Sequence, residues 1–199
     1  NRPTVSAMPS SWTSRSLLPT QSFPLFNHGI DVNNPDGKED DDFGWSISYD
    51  DPYVVIGAPL DDGRRGSFYI VDTSGRILNK IKAPNPDVMD WFGESVAIWK
   101  EWIVVGASGS NDLEGSAYLY HISGHLLKDL TVTDVQFDDR FGRGVAISNT
   151  HIAVIAIGWN RVDGGKLYLF DKNALDTPTE ISFDDVSYVE SVSLSERIV

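Results

Sequence analysis

A Phe-Gly pair recurs at Phe43-Gly44, Phe92-Gly93 and Phe141-Gly142, evenly spaced by 49 residues. Self-similarity at a fixed period of this length makes each period one supersecondary unit, which buries its apolar face only against the next copy. Each pair opens the same series of segments. Phe92-Gly93-Glu94-Ser95-Val96-Ala97 is followed by Ile103-Val104-Val105-Gly106-Ala107-Ser108 and then by Gly115-Ser116-Ala117-Tyr118. The first repeat reads Phe43 to Ser48, Val54 to Pro59 and Gly66 to Val71. The third reads Phe141 to Ala146, Ile152 to Ile157 and Gly165 to Phe170. A fourth start, Tyr188-Val189-Glu190-Ser191-Val192-Ser193-Leu194, has lost its Phe-Gly.

Each unit reads as four short strands. In the first, large residues (Phe92, Glu94, Val96, Ile98) alternate with small ones (Gly93, Ser95, Ala97), and period two is a strand signal. A face of Gly, Ser and Ala admits a neighbouring sheet at close range, as the narrow centre of a radial assembly requires. The second strand, Ile103 to Val105, is apolar throughout and is expected to be buried on both faces. A third follows a glycine, and a turn such as Thr73-Ser74-Gly75 or Ser123-Gly124 leads into a weaker fourth, Arg76 to Ile81 or His125 to Leu130. No stretch carries capped helical periodicity.

The order Phe-Gly-x-Ser-Val-Ala, Ile-Val-Val-Gly-Ala, Gly-Ser-x-Tyr resembles the FG-GAP repeat, the blade of integrin α-subunit-like β-propellers and of many surface proteins. The resemblance implies an all-β propeller of four-stranded antiparallel blades. These lie at about 43–91, 92–140 and 141–187, with an incomplete blade at 188–199, behind an arm or linker over 1–30 that is rich in Ser, Thr and Pro. Such propellers usually have seven blades. A ring of that size needs about 340 residues at this period, so the expectation is a slice of a longer chain, or a ring completed by another subunit. Two departures stand out: Ile155-Ala156-Ile157 replaces Gly-Ala-Pro in the third repeat, and the fourth lacks Phe-Gly. The links between the first two strands, such as Tyr49-Asp50-Asp51-Pro52 and Trp99-Lys100-Glu101-Trp102, are too short to supply the six to eight oxygens that calcium takes. The chain therefore resembles a calcium-free variety of the repeat.

Acids outnumber bases 29 to 16, for a net charge of −13. Nucleic acid and anionic membrane surfaces are poor partners for such a chain, because phosphate binding needs clustered Lys and Arg. The absence of cysteine excludes disulfides and Cys-based zinc sites. No apolar run approaches the roughly 20 residues of a membrane span.

The loops between the second and third strands vary most, and loops on a rigid scaffold are where contacts are made. Arg64, Arg65, Trp159 and Arg161 are the candidate partner contacts there. Trp99 and Trp102 flank a two-residue turn on the other side and join the list, since exposed aromatics anchor interfaces. Asp41, Asp90 and Asp139 each stand two residues before a Phe-Gly, a repetition that points to turn architecture. The acidic segment 31–42 holds Asp31, Asn33 and Asp36 as weak metal candidates, but its glycine is one position late for an EF-hand loop. Histidines 28, 121, 125 and 151 form no zinc motif, and no nucleophile elbow, phosphate loop or dinucleotide fingerprint occurs. The expected function is recognition, adhesion or scaffolding without catalysis or cofactor. The partner would be a protein or glycan, and the setting secreted, surface-bound or lumenal. The alternatives are a structural subunit of a large assembly held by the N-terminal arm, and the propeller part of a larger extracellular hydrolase.

Overall fold

Residues 31–35, 39–158, 164–183 and 191–195 are described in a computed structural model of the chain. Among them, three antiparallel sheets of four strands follow one another in sequence order. Blade 1 comprises β1 (Ser46–Asp50), β2 (Tyr53–Ala58), β3 (Ser67–Asp72) and β4 (Ile77–Lys82). Blade 2 comprises β5 (Ser95–Trp99), β6 (Trp102–Ala107), β7 (Ser116–His121) and β8 (Leu126–Leu130). Blade 3 comprises β9 (Gly144–Ile147), β10 (His151–Ala156), β11 (Gly165–Asp171) and β12 (Ala174–Phe183). This is the expected all-β arrangement of four-stranded propeller blades.

The second strand of each repeat is buried from both sides, as its unbroken apolar run requires. Ile103 and Val105 enter a core shared with Val55, Phe68 and Ile70 of blade 1. Val104 points the other way, into a core shared with Val145, Ile147 and Ile152 of blade 3. Each such side chain, fully buried, contributes about 1.5–3 kcal/mol of transfer free energy. The blades are thus held by the faces that alternation along a strand creates.

The conserved-looking words of the repeat have separate mechanical duties. Each phenylalanine of a Phe-Gly pair meets the tyrosine of its own third strand edge-on, with centroid separations of 5.0 Å (Phe43–Tyr69), 5.6 Å (Phe92–Tyr118) and 5.4 Å (Phe141–Tyr168). The glycine after it sits at φ of 94°, 92° and 91°, a left-handed conformation that glycine adopts without a Cβ penalty. Its N–H bonds the second strand of its own repeat, Gly93 N to Gly106 O at 2.9 Å for example. Its carbonyl presses on the previous blade: a Cβ on Gly57 would overlap Gly93 O, and one on Gly106 would overlap Gly142 O. Ser46 and Ser95 donate hydroxyls to those same two carbonyls at 2.8 and 2.7 Å. The small-residue face is therefore a hydrogen-bonded joint as well as a close approach.

The links from the second to the third strand wind into single turns, Asp61–Arg64 and Ser110–Leu113, where the sequence reads as irregular loop. Left-handed residues interrupt both turns (Asp62 and Gly63, Asn111 and Asp112), and one turn is too short to leave a period in the sequence. Near the axis a depression collects equivalent positions of all four repeats: Ile47, Val96, Val145 and Val192.

Candidate rim groove

Antiparallel order sends the β2–β3 and β6–β7 links, and the segments leading into β5 and β9, to one rim of the blades. The β1–β2 and β5–β6 hairpin turns emerge at the opposite rim. On the first rim lies a groove of about 870 Å³, between the segment leading into β5, the Ser110–Leu113 turn and the end of β8. Backbone bonds frame it. Gly109 N–H donates to Asp90 O at 3.1 Å, and Arg140 N–H to Leu113 O at 3.0 Å. These tie the two walls together and to blade 3.

Asp87, Asp90, Asp112 and Asp129 line the groove, and no Lys or Arg stands among its described lining residues. Val88, Met89 and Phe137 are exposed along its edges. Burial pushes Asp90 above the ordinary carboxylate range, against the Asp87 N–H that favours its charged form; Arg65 also acts to lower it. Burial likewise raises the Tyr118 hydroxyl; a hydrogen bond with Ser116 opposes this, and Asp129 and Asp90 add to the rise. A concave surface with these charges attracts cations and repels anions, and its apolar edges suit an aliphatic or aromatic neighbour.

Two of the three repeated aspartates act as turn acceptors. Asp90 Oδ2 accepts the Asp87 N–H at 2.6 Å and Asp139 Oδ2 the Gln136 N–H at 2.8 Å, and all three aspartates are buried. Arg64 and Arg65 lie on the groove's rim, one step toward blade 1. The Arg64 side chain is exposed, and Arg65 Nη1 donates to Asp62 O at 3.0 Å. Trp159 and Arg161 lie outside the described residues. On the opposite rim, Trp99 and Trp102 pair directly across the hairpin, half-buried against the core between blades 2 and 3. The Lys172 ammonium stands 3.9 Å from the centroid of Trp99 and 4.3 Å from that of Trp102, and Lys100 stands 4.3 Å from Trp99. Burial, with Lys100 nearby, lowers the pKa of Lys172. Lysines of the chain itself thus stand over both indole rings.

Asp31 and Asn33 are exposed, and Asp36 lies outside the described residues. Among the described residues no three His, Cys, Asp or Glu side chains gather as a metal site. Asn85, Asp129 and Phe137 are groove residues that motif reading passes over, while Tyr118 enters it only as part of the Gly-Ser-x-Tyr segment. Their only trace in the sequence is a difference between repeats, Asp129 standing where blade 1 has Lys80.

The family described as the FG-GAP repeat matches residues 33–71, 78–120 and 127–170. No curated protein matches the chain. Among solved structures, the crystal structure of the computationally designed Ika4 protein is similar. It has 15% sequence identity, a TM-score of 0.55, and coverage of 85% of this chain and 89% of that one. At that identity the likeness concerns the fold.

Proposed function

The chain belongs to the FG-GAP repeat family, and from that premise we propose a non-catalytic recognition or adhesion module that presents its rim loops to a protein or glycan partner. The observation that carries this reading is the rim groove. It is concave, acidic and edged with exposed apolar side chains, and it sits on loops braced by backbone hydrogen bonds between rigid sheets. Arg64 and Arg65 extend the contact surface along the same rim, and Trp159 and Arg161 join the contacts by their place in the sequence, between the second and third strands of their repeat. The setting we propose is secreted, cell-surface or lumenal, where FG-GAP proteins typically occur. Among the described residues no helix is long and apolar enough to cross a membrane.

The test is capture of surface proteins and glycans from the native cells on the immobilised chain, beside an Arg64→Ala, Trp159→Ala, Arg161→Ala variant. The variant is expected to release the partner while its circular dichroism and melting temperature hold. Capture that survives the triple change, yet disappears when residues 1–30 are deleted, overturns this reading in favour of an assembly subunit held by its arm.

A further inference from the structure

The three blades place one tyrosine at the same point of the third strand: Tyr69, Tyr118 and Tyr168. What faces it differs. In blade 1, Lys80 lies directly across the ladder from Tyr69, its ammonium 5.3 Å from the ring centroid and 2.7 Å from the buried Asp61 carboxylate. In blade 3, Glu180 lies across from Tyr168, and the cation comes from Lys166, two residues earlier on β11. Its ammonium pairs with Asp134, lies 3.3 Å from Glu180 and stands 5.9 Å from the Tyr168 centroid. The Tyr168 hydroxyl donates to Asp134 at 2.9 Å. In both blades the tyrosine is fully buried beneath a lysine held by carboxylates.

Blade 2 keeps the tyrosine and the carboxylate across from it and lacks the lysine. Asp129 lies across from Tyr118 as Glu180 does from Tyr168. Ser116 stands where Lys166 stands, opposite the last residue of the second strand. Asn85 precedes Asp90 by the same interval as Asp134 precedes Asp139. Blade 1's pair is gone too, with Ser110 in the place of Asp61 and Asp129 in the place of Lys80. Asn85, Ser116, Tyr118 and Asp129 all line the rim groove, and Tyr118 is only half-buried. Arg65 acts on Asp90 from the blade 1 side, whereas Asp87, Asp112 and Asp129 have no cation beside them among the described lining residues.

We propose that this groove seats the ammonium of a lysine side chain carried by a protein partner, in the position that Lys80 and Lys166 fill within the flanking blades. The Asp129 carboxylate and the Asn85 amide oxygen accept its hydrogen bonds, and the Tyr118 ring backs its charge. Val88, Met89 and Phe137 meet the apolar residues beside that lysine. The inference rests on the recognition reading and narrows it to one seat and one side chain.

The test is a titration of the full chain with a fluorescein-labelled Gly-Leu-Lys-Phe-Gly peptide, and with the same peptide acetylated on its lysine. The acetylated form is expected to bind about tenfold more weakly or worse, having lost the charge. Asp129→Asn is expected to cost the unmodified peptide about tenfold. Ser116→Lys restores blade 3's own lysine; it is expected to abolish binding and raise the melting temperature. Equal binding of the two peptides, or unchanged binding in both variants, overturns the proposal. Spermidine binding as tightly as the peptide also overturns it, by showing a seat for free amines. Should Ser116→Lys fail to fold, the exposed Asp129 position carries the test alone. A native partner captured through Arg64 and Arg161, with neither peptide bound, sinks the seat and leaves the recognition reading standing.

Discussion

The inward face of blade 2 and the outer face of blade 1 carry the same repeat positions with opposite fates. Val96 and Ile98 on β5 are 8% and 7% exposed, pressed against blade 1. Their counterparts on β1, Ile47 and Tyr49, are 63% and 60% exposed, with Trp45 beside them at 63%. Val145 and Ile147 on β9 return to 8% each, against blade 2. Strand pattern alone assigns all three pairs to a core. What separates them is whether another blade stands in front, so a residue's stability contribution here belongs to a joint and not to a strand.

That contrast is open to attack at several strengths. The largest effect is expected at a joint. Gly106→Val places a side chain where Gly142 O already sits, and it should lower stability by about 3 kcal/mol or more, read as a lost or sharply earlier urea transition. Next comes the matched pair. Ile98→Ala should cost about 2–5 kcal/mol, whereas Tyr49→Ala at the equivalent exposed position should stay within about 0.5 kcal/mol. Equal losses in that pair would mean that the outer face of blade 1 is covered in solution. The smallest effect concerns Lys172, which reaches from blade 3 to two indoles of blade 2. Lys172→Met should lower stability by about 1–2 kcal/mol and shift tryptophan emission, and an unchanged spectrum would remove the clamp from the joint.

Much of the architecture was legible because it is local and repeated. The Phe-Gly pairs, the apolar second strands and the glycine before each third strand mark the blades: the second and third strands begin within a residue of the expected positions, and the first begin three residues after each Phe. The structure also joins the two departures from the pattern. Gly57 and Gly106 are required because the carbonyl of the next repeat's Phe-Gly presses on them. Ile155 holds that same register position in the third repeat, and the repeat that follows has Tyr188-Val189 instead of Phe-Gly. Where the pressing pair is missing, the accommodating glycine is missing too. Less legible were contacts that cross between repeats. Trp99 and Trp102 look like exposed anchors until Lys172, some 70 residues later in the chain, is seen lying over both rings.

The rim groove shows the same boundary. Asn85, Ser116 and Asp129 are unremarkable polar residues at three distant points of the sequence. They become a seat because β-ladder register and inter-blade packing bring them around Tyr118, in an arrangement that the neighbouring blades complete with a lysine. Strand identity, blade order and the joint glycines follow from alternation and spacing, which act over a few residues and are written directly in the chain. Which face is covered, which cation is already held and which seat stands open depend on distances between repeats, and those exist only once the sheets have stacked.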